Sequence, residues 1–435
     1  MDISGQWEKW KYKMNEALKL IESNKVYKKI LKKVYEKYKS YGKVTGSFSL
    51  KPKDEEERRV LSNFDPSVIY KPLAKIKCSD VEALFAKKFE GISFSELLEK
   101  VVEEELKTNK EIKEDEEKRL NLFFKEIIDR SKDGEGIKWF KALVLNKSYG
   151  YNNLIRKYNE SIDSYEGLIK DMVFVIEALN NLPSLKNNYK NISVFAAEIT
   201  KDPHFLDKKT FTGNIFKLAL EFIYKKEKVK SLDEINELYY EAGILKDELS
   251  NHCTIYALEA FDFRNKEIQA IKEFNLWEEP LEISISNLTK VNYIEAIKNE
   301  VYIFENPAVF HEVLKRSSNK VSLICTSGQV NLSSYILLDK IKNLKTIYYG
   351  GDFDSEGLLI ADKIKRRYKD KVKFMFYNED IYKSILSDKF ISDSRLASLN
   401  KIEDTELSEL AKSISEEKRA AYEELLINKY LQYME

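Results

Sequence analysis

Apolar residues in the first forty positions recur at helical spacing. Trp7, Trp10, Met14, Leu18 and Ile21 fall on one face, which predicts a helix over Gln6 to Tyr41, closed by Gly42. Val44 to Leu50 then alternates as a short strand, and Ala74 to Cys78 reads as a second. Between them, Asp54 followed by Glu55, Glu56 and Glu57 marks a helix start with acids in its first turn. Ser79 is a suitable N-cap for a helix over Asp80 to Lys88. Ser95 to Arg130 reads as helix carrying dense mixed charge, as a solvated face or a projecting arm does. After Gly134-Glu135-Gly136, the residues Trp139, Phe140 and Leu143 open a helical region reaching Phe222. It is interrupted at Leu182-Pro183-Ser184 and at Asp202-Pro203-His204.

Ser231 caps a helix to Tyr240, with Asp233 and Glu234 in its first turn. Ala242-Gly243-Ile244-Leu245 leads into a short helical or extended piece, Asp247 to Cys253. Helix, tight glycine turn and second element make a winged-helix-like pattern. Leu281 to Ile285 is strand-like, and Asn287 is a candidate cap for a helix over Leu288 to Lys298.

Beyond residue 300 the period changes. Strand patterns at Val301–Phe304, Val321–Cys325, Leu344–Tyr349 and Val372–Phe376 alternate with helical patterns at Pro307–Arg316, Val330–Ile341 and Leu358–Tyr368. That alternation predicts a parallel sheet, doubly wound or covered on both faces. Asp404 to Glu435 reads as mostly helical, with Tyr422, Leu425, Leu426 and Tyr430 on one side. The expected fold is α+β and multidomain. An N-terminal α+β and helical-arm module spans 1–135, and a helical central region with the winged-helix-like segment spans 136–285. A C-terminal α/β domain with a Rossmann-like parallel sheet and trailing helices spans 286–435.

Composition narrows the chemistry. Lys+Arg and Asp+Glu both number 73 in 435 residues, so no global positive field marks a nucleic-acid binder, and any DNA surface must be local. Three scattered cysteines without a C-x-x-C argue against a disulfide framework and a thiolate zinc site. Three histidines argue against a histidine-rich metal centre. Met1 to Trp10 lacks a signal-peptide pattern, and no run approaches ~18 apolar residues, so no membrane span is expected and cytoplasm is the default.

The chemistry gathers at the strand ends. Lys345 to Tyr349 runs into Gly350-Gly351-Asp352-Phe353-Asp354-Ser355-Glu356-Gly357. In an open parallel sheet, ligands bind at the carboxyl ends of strands. Two carboxylates there repel unless a cation joins them, and oxygen-only ligands suit Mg²⁺. Asp354 or Ser355 capping the next helix is the competing reading. Glu305 ends the first strand and Thr326-Ser327-Gly328 the second, so Glu305, Asp352 and Asp354 are candidate catalytic metal ligands. Glu356 either assists them or simply favours the helix N-terminus. Lys363, Lys365, Arg366 and Arg367 either meet DNA phosphates or form a solvated helix face. Tyr239 and Tyr240 precede the winged-helix-like turn, where packing is the ordinary role of a tyrosine pair. His204 reads as a turn or interdomain contact and His311 as a surface or packing residue.

This order of a glutamate, a small-residue turn and D-x-D-x-x-G resembles the Toprim domain of type II topoisomerases, primases and several nucleases. Phe304-Glu305-Asn306-Pro307-Ala308-Val309, Cys325-Thr326-Ser327-Gly328-Gln329 and Gly351-Asp352-Phe353-Asp354 resemble more narrowly the JetD family, the nuclease subunits of Wadjet plasmid-defence systems. Asp202 to Asp207, Asp247-Glu248-Leu249-Ser250 and Ala421-Tyr422-Glu423-Glu424 carry weaker likeness. Two departures stand out: Asn306-Pro307 where many Toprim domains have glycine, and Gly350 where a histidine often stands in one JetD branch. The resemblance implies a metal-dependent endonuclease using Mg²⁺, with Mn²⁺ as a substitute, that cuts closed circular double-stranded DNA. It implies partners too: an SMC-like ATPase, a kleisin and an accessory winged-helix subunit, with the nuclease itself a homodimer like the topoisomerase VI A subunit. A tyrosine transesterase and a non-catalytic DNA-binding subunit are the alternatives.

Overall fold

The computed structural model describes residues 3–161, 164–246 and 249–435, without the side chains of residues 3–6. The Asp247-Glu248 part of the motif noted above therefore lies outside the described residues. The chain forms two compact units, Met1–Glu126 and Ile127–Glu435.

In the first unit the single helix expected over Gln6 to Tyr41 is two, α1 (Ile3–Ser23) and α2 (Lys25–Tyr41). Asn24 divides them, because its side chain takes the Val26 amide and caps a new helix. β1 (Ser47–Leu50) pairs antiparallel with β2 (Ala74–Lys77), and Asp54 caps the helix Glu55–Leu61 as expected. α3 (Cys78–Lys88) follows β2 directly, so Lys77 rather than Ser79 stands at its cap. The charged stretch from Ser95 is also two helices, α4 (Phe94–Val102) and α5 (Asn109–Arg130). Glu103 turns left-handed after α4, and Thr108 and Glu111 exchange bonds in a capping box that starts α5. Ile30, Leu31, Val34, Ile76 and Leu98 form the centre of this unit's core.

The second unit begins with helices α6 (Glu135–Asn146), α7 (Tyr151–Glu160), α8 (Glu166–Asn180), α9 (Phe211–Ile223) and α10 (Leu232–Glu241). Trp139, Phe140, Phe195 and Phe216 are fully buried among them. Ser231 and Glu234 form a complete capping box on α10. Gly243 then turns the chain at φ +75°, and Ile244–Leu245 pairs in parallel with Lys190–Asn191.

The sheet that follows has six strands: β3 (His252–Tyr256), β4 (Leu281–Ser284), β5 (Glu300–Phe304), β6 (Leu323–Cys325), β7 (Thr346–Gly350) and β8 (Val372–Phe374). Their order is β8-β7-β5-β6-β3-β4. β5 to β8 are parallel, as expected, while β3 and β4 extend the edge antiparallel. The sheet thus includes two strands from before residue 286. Its crossover helices are α11 (Pro307–Arg316), α12 (Leu332–Lys340) and α13 (Ser355–Tyr368).

One expectation fails here. Leu288 to Lys298 is not a helix. Ser284 and Asn287 cap a single turn, Ile285–Leu288, and Tyr293–Ala296 then forms a strand against Leu258–Phe261. Its burial alternates, with Ile294 and Ala296 inside, which is a strand period rather than a helical one. The C-terminal region from Asp404 is mostly helical, as expected, and holds one short strand. Between the helices α14 (Thr405–Glu417) and α15 (Ile427–Met434), Arg419–Ala421 forms a strand against Leu386–Phe390. That strand reaches the site described next. Among the described residues, no helix is long and apolar enough to cross a membrane.

Candidate active site

Strand register sets the site. Phe304, Cys325 and Gly350 lie level across β5, β6 and β7. Glu305 is therefore one residue past that level and Asp352 two. Their loops are tied together: the Glu305 amide donates to the Gly350 carbonyl at 3.3 Å, and the Gly328 amide donates to the Glu305 carbonyl at 3.0 Å. Ser327 and Gly328 adopt positive φ, so the small-residue turn folds tightly under the glutamate.

The Glu305 carboxylate is half-buried, and its Oε2 is shielded from solvent with no hydrogen-bond partner among the described residues. Burial, then the charges of Asp352 and Asp354, push its carboxyl up to about 7. Asp352 accepts the Glu423 amide at 3.0 Å on Oδ1. Burial lifts it to about 6, against that hydrogen bond and with further repulsion from Glu424 and Asp354. These two acids form the strained, electron-rich heart of the site.

Asp354 has a different task. Its Oδ1 accepts the Glu356 and Gly357 amides at 2.8 and 2.9 Å, capping α13. Its Oδ2 accepts Arg395 Nη2 at 2.7 Å. Glu356 is exposed, 3.5 Å from Arg395 Nε. The capping reading thus describes Asp354, and its second oxygen faces an arginine that sequence spacing did not bring near.

Glu423 is the other residue that sequence reasoning left without a role. It is fully buried, takes the Asn306 amide at 2.8 Å, and keeps an unpartnered Oε2. Burial holds its carboxyl well above the usual range. The loop departure at Asn306-Pro307 is explained by the same contact. Asn306 caps α11 through the Ala308 amide at 2.8 Å and ties its own amide nitrogen to Glu424 at 2.7 Å. The only sequence signal was the Ala421 to Glu424 motif. Ala421 pairs with Phe353 in both directions, 2.9 and 3.1 Å, which brings Glu423 beside Asp352.

The glycine pair is required by what lies under it. A Cβ on Gly351 would stand 2.9 Å from both the Tyr349 and Tyr377 hydroxyls and 3.0 Å from Glu305 Oε2. One on Gly350 would meet the Tyr430 hydroxyl at 2.8 Å, so a histidine has no room there.

The four basic residues of α13 are each engaged within the chain. Lys363 lies 3.6 Å from Asp233, and Lys365 donates to the Val372 carbonyl at 2.9 Å. Arg366 pairs with Asp362 and Glu403, at 3.1 and 3.0 Å. Arg367 pairs with Glu237 and Asp339 at 2.7 and 2.6 Å and stacks on Tyr335. They brace α13 against its neighbours instead of standing as one free patch. Tyr239 is buried against Phe216, its phenol pushed up to about 12 by burial. Tyr240 stacks on Tyr189, with its hydroxyl shielded from solvent. Neither is presented as a nucleophile. His204 is exposed and bonds Asp207 at 3.0 Å, and His311 is exposed on α11.

Among the described residues, no group of three or more His, Cys, Asp or Glu side chains is drawn together as a ready metal cage. The donor set still fits a magnesium ion. Mg²⁺ takes one or two carboxylates and completes its shell with water and phosphate oxygens. Glu305, with its unpartnered oxygen, and Asp352 are two such carboxylates. Asp354 is already balanced by Arg395.

The raised carboxyls predict a pH dependence of folding without metal. Glu305 and Asp352 start from ordinary values of 4.5 and 3.8 and reach about 7 and about 6 when folded. The folded state therefore binds more protons in that window, and stability falls as pH rises through it. Melting in EDTA should show the Glu305→Gln, Asp352→Asn double variant gaining on the wild type from about pH 4.5 to about pH 7. A constant difference over that range would mean that the two acids are not destabilised by burial.

Residues 44–260 match the family described as "Protein of unknown function N-terminus (DUF3323)". Residues 281–434 match "Protein of unknown function C-terminus (DUF2399)". No curated protein matches the chain.

Proposed function

From the two-domain architecture of JetD-like proteins, which the paired matches give this chain, we propose that it is a Mg²⁺-dependent DNA endonuclease. The α/β sheet is read as a Toprim domain, and α10 with its Gly243 turn as a winged-helix-like element. One observation carries the proposal: Glu305, with an unpartnered buried oxygen, and Asp352 stand together past the carboxyl ends of adjacent parallel strands. Bound there, Mg²⁺ or Mn²⁺ would supply Lewis acidity to a phosphodiester. Glu305 and Asp352 hold the ion. Glu423 fixes Asp352 through its amide and, being buried, keeps water from that side. Asp354 orients α13 and holds the Arg395 guanidinium at the rim.

The working substrate is closed circular double-stranded DNA, cut by a homodimer inside a complex with an SMC-like ATPase, a kleisin and an accessory subunit. Zero net charge supports that dependence on partners. Affinity for DNA comes mainly from phosphate contacts, and bending a short site costs on the order of 1–6 kcal/mol, which a weak binder does not recover alone. The test sets plasmid beside linear DNA, with and without partners, ATP and Mg²⁺. Plasmid should be cut only in the complete mixture and linear DNA spared. Cutting that persists in EDTA would overturn the metal reading. Efficient cutting of both substrates by the chain alone would overturn the gating.

A further inference from the structure

The helical part of the second unit contains an open cleft of about 640 Å³, apart from the acids. That volume suits a small ligand or a stretch of a larger one. Lys147, Lys208, Lys217, Lys226, Lys228 and Lys230 line it, against only two acids, Glu221 and Glu227. Glu221 is already committed: it holds Lys217 at 2.7 Å and the Val229 amide at 3.0 Å. Lys226 is paired with Glu241 at 2.7 Å. Lys208, Lys228 and Lys230 are exposed and form no side-chain ion pair among the described residues, though the Glu234 carboxylate takes the Lys230 backbone amide and feels its charge. Like charges gathered around one concavity favour an anion, and walls of low dielectric strengthen that field.

The lining also includes an orphan polar atom. Ser148 Oγ is shielded from solvent and has no hydrogen-bond partner among the described residues. Its loop holds Lys147, Tyr149 and Gly150 at φ +50°, +49° and +110°. Left-handed non-glycine residues cost free energy and persist where the surroundings fix them, often at ligand clamps. The loop feeds α7, whose Gly150 N-cap offers no side-chain oxygen to the first-turn amides. Tyr149, packed edge-on against Phe222 at 5.2 Å, adds a partly exposed ring to the lining. Lysines, an orphan hydroxyl and an aromatic face are what a phosphate chain bearing bases requires.

We infer that this cleft, formed by the Lys147–Gly150 loop, α9, the loop before α10 and α10 itself, binds the phosphates of a nucleotide chain. The source is a nucleic-acid strand or a free nucleoside triphosphate. The cleft shares no residue with the acidic site, so it stands or falls independently of the nuclease reading.

The experiment measures binding by the full chain in EDTA, which silences metal-dependent cleavage. A fluorescent DNA duplex and ATP are titrated separately over a range of salt concentrations. The Lys208→Ala, Lys228→Ala, Lys230→Ala variant is compared with wild type and with a Lys87→Ala, Lys88→Ala, Lys100→Ala control, which alters exposed lysines of the other unit. If the ligand is duplex, each lost phosphate contact lowers the salt slope by about 0.9, so the triple variant should lose a slope of about 2 to 3 and at least about tenfold in affinity. If only ATP binds, and the triple variant weakens it while the control does not, the source is the free nucleotide. Equal affinities in all three proteins, or no binding of either ligand by wild type, would overturn the inference.

Discussion

Asp352→Ala is expected to abolish DNA cleavage in the complete mixture while the protein stays folded. Loss of even an outer partner of a metal ligand typically costs about 10–100-fold, so loss of a ligand itself should cost at least about 100-fold. The effect on stability should be small, because two terms oppose. The variant loses the hydrogen bond from the Glu423 amide, worth about 1 kcal/mol. It also removes a carboxylate that burial and its neighbours hold at about 6, relieving repulsion on Glu305. Asp354→Ala provides the contrast. That side chain caps α13 and pairs with Arg395, so its removal should cost about 0.5–2 kcal/mol of stability as well as activity. Cleavage rates and urea midpoints for both variants separate the roles. Full cleavage by Asp352→Ala would end the proposed site, whatever happened to Asp354→Ala.

The contrast shows where the sequence was informative. The four parallel strands and their helices were legible because apolar runs of strand length alternate with capped helical patterns, and Asn306-Pro307 starts α11 where the local rules put it. Strand ends were therefore legible, and with them Glu305 and Asp352. What lay beyond was long-range. Asp354 divides its oxygens between its own helix and Arg395, 41 positions away, and no local pattern announces such a partner. Glu423 is brought in by a single antiparallel bridge between Phe353 and Ala421. A three-residue strand inside mostly helical sequence leaves almost no period to read, so Arg419–Ala421 was not singled out. The basic run on α13 shows another long-range dependence. Its charges suggest a phosphate surface, yet their acidic partners come from α10, α12 and the loop before α14, invisible to spacing. The lysine cleft is likewise assembled from separated segments, and a balanced total charge hides it.

Phe353→Ala should produce the largest loss of stability of any single change at the site. Phe353 sits between the two aspartates yet is fully buried. Its ring stacks on Tyr377 at 4.9 Å and on Tyr382 at 6.3 Å, and its backbone is paired with Ala421. Truncating such a residue removes its transfer free energy and leaves a cavity that rigid neighbours fill poorly, a cost of about 3–5 kcal/mol. The ring also has a positional role. Alternation along an extended backbone sends Asp352 and Asp354 away from the core because Phe353 points into it. Anchoring the ring therefore fixes where both carboxylates stand. Activity should fall further than the unfolded fraction explains, since a displacement of about 1 Å in a positioned group can cost about 100-fold. Phe353→Leu keeps an apolar anchor and should recover most of the stability while regaining only part of the activity, because the flat stack on Tyr377 is lost. Urea denaturation, with cleavage assayed under conditions where each variant is folded, measures the two effects separately. If Phe353→Ala lost less than about 1 kcal/mol, the ring would not be the anchor that burial implies. If stability fell as expected while cleavage of the folded fraction stayed at the wild-type rate, the acids would be held by Glu423 and the strand ends alone.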